Sequence, residues 1–289
     1  MVGFAAGGPN DTQARLIGNK LTEILGQQVI VENRAGASGT TAGGYVAKSA
    51  ADGYTLMLVS AGHAMNPNFY SKLPYDPIND FAPITQVSSS PFILVVHPSL
   101  PVRSVSALVA LAKAKPGELT YASAGHGSSL QLAMELFDSM AGIRMVHVPY
   151  KGGAPATFDL ISGQVQLMMN NVVTSLPAAR AGKLRALAVT SAKRSPIAPK
   201  LPAVAETLPG YEVDAWYGIV APHATPAAIV SKLNAELVRA IRDPEVHQRL
   251  ATLGLQPVGG TAQAFDAHLR SELAKWRKVV KDAGIGTAN

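Results

Sequence analysis

The alternation of short apolar runs with segments of helical period most constrains what this chain can fold into. Residues 92–96 are continuously apolar and have the length of a strand, and residues 105–114 after them show helical spacing. The same succession recurs at residues 119–122 and the segment that follows them. Strands that alternate with helices are typical of a parallel or mixed sheet covered by helices on both faces. We therefore predict an α/β fold.

Length and composition exclude several other classes of protein. The chain has 289 residues, of which 47% are hydrophobic and 15% charged, and this balance is not that of a disordered or coiled-coil protein. At roughly 100–200 residues per domain, the length predicts one large domain or two medium ones. No segment reaches the ~18 uninterrupted apolar residues that a membrane-spanning helix needs. Because the chain lacks cysteine, disulfide frameworks, thiolate metal sites and cysteine nucleophiles are excluded.

Two irregular stretches that contain proline, at residues 97–101 and 201–216, mark predicted crossings between two lobes. A chain that leaves one lobe, builds a second and returns makes the first lobe discontinuous. We predict that residues 1–98 and 218–289 form lobe 1 and that residues 99–217 form lobe 2. Two crossings of this kind suit hinge closure around a ligand.

The net charge of +6 favours an anionic partner or ligand. The basic residues look scattered along the chain, and no basic face with interleaved aromatic residues is evident. Nucleic acid is therefore not a predicted partner, because single strands are bound by such faces. The densest basic cluster comprises only Lys275, Arg277, Lys278 and Lys281.

Small residues fill three predicted turns between a strand and a helix: the first turn (residues 5–11), the second turn (60–63) and the third turn (123–129). Helix N-termini present unpaired N–H groups and the positive end of the helix dipole, so they bind anions without a charged side chain. In open α/β sheets, ligands bind at the carboxyl ends of strands, where such turns gather. The alternative is that glycine and serine only end strands and cap helices here.

Enzyme motifs are missing from the sequence. It contains no phosphate-binding loop, no G-x-S-x-G elbow and no H-E-x-x-H pair. Gly125 and Gly127 begin like a dinucleotide-binding fingerprint, but Leu130 stands where the third glycine belongs. His63 and His126 lie in the second and third turns and are either ligand donors or polar residues at a cleft rim. We predict no catalytic residue, no metal site and no cofactor.

Five further residues have two interpretations each. Asp11 orients a ligand amine or caps the first helix, and Lys151 approaches an anionic ligand or is solvated. Trp216 and Tyr217 form a cleft wall or pack at the hinge, and Asn170 donates amide hydrogen bonds to a ligand or stabilises a turn.

The motifs, taken together, resemble the receptors of tripartite tricarboxylate transporters, the TctC or Bug-type family of solute-binding proteins. The resemblance covers essentially the whole chain and is specific as a set. The matching segments include FAAGGPND at 4–11, NRAGASG at 33–39, DGYTL at 52–56, YASAGHGS at 121–128, VPYKG at 148–152 and AWYG at 215–218.

This resemblance implies a two-lobed periplasmic binding protein of type II, with the ligand cleft between its lobes. It implies a receptor that captures a small carboxylate and passes it to the subunits of a membrane transporter. It further implies a monomer in the periplasm, with a signal peptide that this chain lacks and that has been removed or omitted. In the family, backbone amides and ordered waters at the strand–helix turns hold the carboxylate.

The residues that match the family's turns fall into three groups, and other residues predicted to line the cleft are added to them.

Gln131 stands where many relatives have histidine, so the identity of the ligand does not carry over from the family. Two alternatives from other classes are an α/β enzyme acting on a small acid through a cleft histidine and a ligand-sensing subunit of a signalling system. The predicted ligand-binding residues are Ala6, Gly7, Gly8, Asp11, Ser60, Ala61, Gly62, His63, Gly125, His126, Gly127, Ser128, Ser129, Tyr150, Lys151, Asn170, Trp216 and Tyr217.

Overall fold

Strand β2 (Phe81–Val96) carries the chain from one folding unit into a second one. The structure is a computed structural model that describes residues 1–4, 6–70, 72–150 and 152–282. Unit 1 consists of Met1–Ser89 and Trp216–Lys278, and unit 2 consists of Ser90–Ala215 with residues 279–282.

The outward crossing differs in place from the one that the sequence predicts, whereas the return lies within the predicted stretch 201–216. The outward crossing lies inside β2, between Ser89 and Ser90, and the predicted boundary at residue 98 falls within unit 2. The reason is that β2 continues without interruption through the crossing, so the proline-containing step at 97–101 only ends the strand. The return lies inside β7 (Asp214–Pro222), between Ala215 and Trp216.

Unit 1 contains a mostly antiparallel sheet in the order β1-β7-β2-β8. Strand β1 pairs antiparallel with β7, and β8 pairs antiparallel with β2. Short 3-10 turns at Ala37–Gly39 and Asn66–Asn68 complete the unit. Its helices and remaining strands are α1 (Pro9–Leu25), α2 (Thr40–Val46), β1 (Met57–Ser60), α3 (Gly62–Met65), α8 (Ala227–Arg242), α9 (Pro244–Thr252), β8 (Gln256–Pro257) and α10 (Ala262–Asp282), whose last turn belongs to unit 2.

Helix α1 begins two or three residues earlier than its polar residues predict. We expect Asn10 or Asp11 as its N-cap, but Gly8 holds that position. Pro9 follows it, and proline suits the first helical position because its fixed φ is helical and it needs no N–H partner there. The predicted stop at Gly26 is confirmed: its φ of 65° is left-handed, and its N–H donates to Thr22 O at 3.0 Å.

The apolar residues at 29–31 and at the start of the chain predict a strand in each segment, but neither segment forms one. Residues 29–31 carry no regular strand pairing, and Ile30 among them is exposed. At the start of the chain, Val2 makes only isolated bridges, to Asn33 and to Leu58. A bridge of one residue pair does not extend a sheet. The start of the chain is therefore hydrogen-bonded to unit 1 without forming a strand.

The core of unit 1 holds α1 against the sheet. Apolar residues of α1, β2 and α8 form one buried cluster, which fixes the N-terminus of α1 relative to the strands. Burying such side chains contributes about 1.5–3 kcal/mol each. The cluster includes Ile17, Leu21, Ile84, Val87, Leu237 and Ile241.

Unit 2 contains a mixed sheet in the order β6-β2-β5-β3-β4. Strand β2 is antiparallel to β5 and β6, whereas β3 is parallel to β4 and β5. The segments that follow β3, β4 and β5 therefore lie at one edge of the sheet. The elements of unit 2 are α4 (Val105–Ala114), β3 (Thr120–Ser123), α5 (Ser129–Ala141), β4 (Val146–Pro149), α6 (Gly153–Ser162), β5 (Leu167–Asn171), α7 (Val172–Arg180) and β6 (Arg185–Val189).

Together these elements confirm the predicted α/β class. Helix α4 coincides with the predicted segment 105–114, because Ser104 caps it by accepting a hydrogen bond from the Ala107 N–H. Among the described residues, no helix combines the length and the apolar character needed to cross a membrane.

Candidate ligand-binding turns

The first turn is organised around the buried carboxylate of Asp11. Its Oδ2 accepts from the Gly7 N–H at 2.9 Å and from Arg15 Nε at 3.0 Å, and its Oδ1 accepts from Asn33 Nδ2 at 2.9 Å. The Arg15 and Gly7 hydrogen bonds hold the pKa of this carboxyl at about 2. Asp11 is thus engaged within its own chain. It is not the N-cap of α1, which is Gly8, but it accepts from the backbone N–H just before that cap.

The backbone of the first turn depends on Gly7, whose φ is 82°. A Cβ atom there would meet nothing within 4 Å, so the requirement for glycine is conformational rather than steric. Ala6 and Gly7 are exposed, and Gly8 is half-buried. Beyond them, no described residue accepts a hydrogen bond from the N–H of Asn10, so this end of α1 keeps an unclaimed donor.

The loop at residues 36–39 lies against the first turn. In the sequence it stands out only as part of the family motif at 33–39. From Gly36 to Gly39 the φ angles are 152°, 43°, 55° and 89°, which strains Ala37 and Ser38. A Cβ on Gly3 would lie 2.6 Å from Gly39 Cα, so two backbones meet there. Sequence reasoning missed this loop as part of the site, although its two glycines spaced three apart were a usable signal.

The second turn follows β1 and also contacts that loop. Ser60 is half-buried and pairs with Tyr217 in the ladder between β1 and β7, and Ala61 is buried. A Cβ on Gly62 would lie 4.0 Å from the Ser38 carbonyl oxygen. The first turn, the loop at 36–39 and the second turn therefore come together within unit 1.

His63 does not lie at a rim, and the structure corrects that expectation. It is only 5% exposed, and its Nε2 donates to the Pro77 carbonyl oxygen at 2.9 Å. Its ring stacks on Tyr75, with centroids 5.7 Å apart, and meets Phe81 edge-on at 5.0 Å. Burial lowers the pKa of His63 to about 4, so the ring is a neutral core side chain at neutral pH.

Trp216 is also a core residue rather than a cleft wall. Its Nε1 donates to Glu272 Oε2 at 2.9 Å, and Trp276 Nε1 donates to the same oxygen at 3.0 Å. The Trp216 ring lies edge-on to Phe265 with a centroid distance of 5.9 Å. This arrangement matches the packing alternative. Tyr217 is half-buried, and burial raises the pKa of its hydroxyl.

The third turn is held by its own side chains. Ser128 Oγ donates to the Gly125 carbonyl oxygen at 2.7 Å and accepts from the Gln131 N–H at 3.3 Å, which caps α5. Gln131 Oε1 accepts from the Gly127 N–H at 2.8 Å. Gly125 and Gly127 have φ angles of 127° and 72°, and a Cβ on Gly125 would lie 3.1 Å from the Tyr150 carbonyl oxygen.

Two donors at this turn stay unclaimed. No described residue accepts a hydrogen bond from the N–H of Ser129 or Leu130, the first residues of α5. His126 is exposed beside them, 5.1 Å from the ring of His147. Burial, with a smaller effect of His126, lowers the pKa of His147 to about 4. His147 Nε2 lies 2.6 Å from Ser123 Oγ, a group that is fully buried.

The neighbouring candidates of unit 2 are mostly engaged within the protein. Tyr150 donates its hydroxyl to Asp159 Oδ2 at 2.8 Å, and burial with this bond raises the pKa of Tyr150 to about 12. Asn170 is buried, and its Nδ2 donates to Thr157 Oγ1 at 2.9 Å. Asn170 lies within β5, so this hydrogen bond joins the strand to α6 and does not stabilise a turn. Lys151 lies outside the described residues.

The match to a known family decides what these turns belong to. The family model described as "Tripartite tricarboxylate transporter family receptor" matches residues 13–285. The chain belongs to this family.

Solved structures of similar proteins agree with this membership. Rpa4515 from R. palustris, solved with adipate, is 42% identical, with a TM-score of 0.81 and coverage of 98% of this chain and 96% of that one. MatC from Rhodopseudomonas palustris, solved with bound malate, is 35% identical, with a TM-score of 0.77 and coverage of 96% and 97%. The periplasmic binding protein BugD is 34% identical, with a TM-score of 0.78 and coverage of 99% and 97%. The predicted family and fold class are confirmed.

In this member of the receptor family, the described residues of the first and third turns offer backbone N–H donors at the starts of α1 and α5. Within the described residues, no three His, Asp or Glu side chains form a group that could hold a metal ion. A cavity of 630 Å³ in unit 1 lies away from the turns, between α1 and α8, where it is lined by residues such as Lys20 and Arg239. The chemistry available at the turns is the binding of an anion by N–H groups and helix dipoles.

Proposed function

We propose that the chain is an extracytoplasmic solute-binding receptor that captures a small organic acid and delivers it to a tripartite tricarboxylate-type membrane transporter. One observation carries the proposal: the first two N–H groups of α5 are unclaimed at a turn that its own side chains hold in shape. Membership of the receptor family supports it. The periplasm is the proposed location, as for BugD.

The proposed ligand is a carboxylate, because the turns attract negative charge with neutral groups. A helix N-terminus carries the equivalent of about half a positive charge. The one cation bonded into the first turn, Arg15, is already paired with Asp11. Neutral donors hold an acid less strongly than charged ones would, which suits a receptor that must release it. Adipate in Rpa4515 and malate in MatC are acids of this class.

The proposal includes binding without turnover. The enzyme alternative needs a histidine that reaches the ligand together with a second reacting group. His63 lies in the core, and Ser123, the hydroxyl closest to His147, is fully buried. His126 alone is exposed at the third turn, and no acidic partner for it is recorded among the described residues.

The test removes one backbone donor and leaves the helix in place. Ser129 is the first residue of α5, a position that tolerates proline, and Ser128 before it has ψ of 150°, which proline also accepts. We expect Ser129→Pro to weaken adipate binding in titration calorimetry by about tenfold or more, the loss of a hydrogen bond to a charged group.

Ser129→Ala is the matched control, since it removes the hydroxyl and keeps the N–H. We expect near-native adipate affinity for it. If Ser129→Pro binds adipate with wild-type affinity and its thermal midpoint is unchanged, the Ser129 N–H does not contact the ligand. Conversion of adipate into a product by the wild-type protein would overturn the receptor proposal.

A further inference from the structure

The net positive charge of the chain resides in one stretch. Residues 160–205 contain six Lys and Arg residues and no Asp or Glu. Outside this stretch, 19 basic residues balance the 19 acidic ones, so the whole charge of +6 belongs to it. The basic residues are still spread along the chain, and what distinguishes this stretch is that it contains no acidic residue. The six are Arg180, Lys183, Arg185, Lys193, Arg194 and Lys200.

Three of these cations line a cavity of 640 Å³ in unit 2. Arg180 is the last residue of α7, Arg185 begins β6, and Lys200 lies in the loop that follows β6. Among the residues that the structure describes, none that lines the cavity is acidic. The remaining walls are largely apolar and include Leu176, Leu184, Ile197 and Leu201. Volume and lining are those of a small-molecule site, which is typically about 300–1,000 Å³ and mostly apolar with a few polar groups.

Arg185 has its guanidinium fixed without being neutralised. Its Nη1 donates to the Leu100 and Val102 carbonyl oxygens at 2.8 and 2.9 Å, and its Nη2 donates to Pro98 O at 3.1 Å. Carbonyl oxygens orient the charge but supply no counterion. Among the described residues, no carboxylate pairs with Arg180, Arg185 or Lys200. Arg180 and Lys200 are exposed, whereas Arg185 is half-buried. A half-buried charge without a counterion is unfavourable, so an anion bound beside Arg185 would offset that cost.

This cavity lies at the opposite end of the unit 2 sheet from the third turn. At the cavity end, Val96 of β2 pairs with Arg185 of β6 and with Leu167, where β5 begins. At the other end, Phe92 pairs with Asn171, where β5 ends. The third turn follows β3, which is parallel to β5. An anion in the cavity therefore does not compete for the N–H groups of α5.

We propose that this cavity is a second binding site, which takes an organic monocarboxylate with an apolar chain. The three cations face the carboxylate, and the leucine and isoleucine side chains cover the chain. None of the described residues that line the cavity is aromatic, which argues against a stacked base or nucleotide. This inference does not depend on the proposed receptor function.

The experiment is titration calorimetry with octanoate at fixed ionic strength, with and without excess adipate. We expect saturable binding that strengthens from butanoate to octanoate and persists in the presence of adipate. Arg180→Gln/Lys200→Gln should lower octanoate affinity by about tenfold or more, because both charges are lost from a partly apolar site. Lys113→Gln/Arg144→Gln is the matched control: it removes the same charge from exposed positions of unit 2 outside the cavity and should bind octanoate normally.

Three results would each overturn the proposal. Octanoate binding that excess adipate displaces would place octanoate at the adipate site instead. An equal loss of octanoate affinity in both double variants would show that only the overall charge of the protein matters. The third is the absence of saturable octanoate binding to the wild-type protein. If adipate itself does not bind, the receptor proposal fails while the octanoate result still decides this one.

Discussion

The first and third turns have the same hydrogen-bond geometry but use different acceptor side chains. In each, a glycine with left-handed φ donates its N–H to the side chain four residues later, at the third position of the helix. Gly7 donates to Asp11 at 2.9 Å in unit 1, and Gly127 donates to Gln131 at 2.8 Å in unit 2. Both resemble a capping box shifted by one residue, and both leave a helix N-terminus with an unclaimed donor.

The difference between the turns is charge. Asp11 is ionised and its partner one helical turn later is Arg15, whereas Gln131 is neutral and its partner at the same spacing is Glu135. An exposed carboxylate would repel an acid, but that of Asp11 is buried and paired. The comparison teaches that a turn of this geometry needs an oxygen acceptor at that position, and that its charge is free to vary if a partner compensates it.

The largest effect is expected from breaking the glycine conformation in the third turn. Gly127→Val forces a β-branched residue to φ of 72°, at a cost of about 1–3 kcal/mol, and we expect adipate binding to fall below detection in titration calorimetry. Gly142→Val is the matched control: Gly142 has φ of 60° at the other end of α5, with nothing within 4 Å of a Cβ. It should lose similar stability in urea unfolding and keep its affinity. Equal affinity losses would show that strain alone, not the turn, weakens binding.

Replacing the charged acceptor of the first turn should destabilise unit 1. Asp11→Asn keeps the shape but loses the charge that Arg15 and the Gly7 N–H contact, and we expect a loss of about 1–3 kcal/mol in urea unfolding at pH 7. In Arg15→Gln, the same Asp11 substitution should cost less, because the pair is already broken. A full cost in that background would show that Arg15 does not stabilise the carboxylate.

Adding a charge to the neutral turn is the reciprocal change. Gln131→Glu places a carboxylate one helical turn before Glu135, and like charges at that spacing cost about 0.2–0.5 kcal/mol. Adipate affinity should fall at pH 7 in titration calorimetry, because the new carboxylate repels the acid. Gln131→Met, which lacks both charge and acceptor, is the uncharged comparison and should lose less affinity. An equal loss in both variants would contradict the electrostatic explanation.

The charged acceptor of the first turn should also make the stability of the protein sensitive to acid. The pKa of Asp11 is about 2 in the folded protein, below its ordinary value of 3.8. Its ionised form therefore contributes stability above pH 3.8, and this contribution is lost as the pH falls toward 2. The stability gap between wild type and Asp11→Asn should narrow over that window in urea titrations. A gap that stays constant would mean that the charge of Asp11 does not stabilise the fold.

Local patterns predicted the elements and the turns because caps, glycine stops and small residues act over a few positions. Helix α4 and the stop at Gly26 follow from such signals. The inward direction of His63 did not, since Tyr75 and Phe81, which surround it, are distant in sequence. The same holds for Trp216, whose partner Glu272 lies in α10.

The crossing inside β2 was missed for a related reason. Proline does not mark the crossing, because β2 contains Pro83 and Pro91 and continues past both. Only the long-range pairing of β2, with β8 before the crossing and with β5 after it, shows where the chain changes units. The unclaimed N–H groups at Ser129 and Leu130 were beyond sequence reasoning too, because they depend on Gln131 and Ser128 satisfying other groups.

The shared carboxylate of Glu272 has an optical consequence. Trp216 and Trp276 are the only tryptophans of the chain, both lie in unit 1, and both donate to the same Glu272 oxygen. The tryptophan emission of the protein therefore arises wholly from one unit, close to the residue where the chain re-enters it. A change in emission on adding an acid therefore reports a change near that return point. An event confined to the third turn leaves the emission spectrum unchanged.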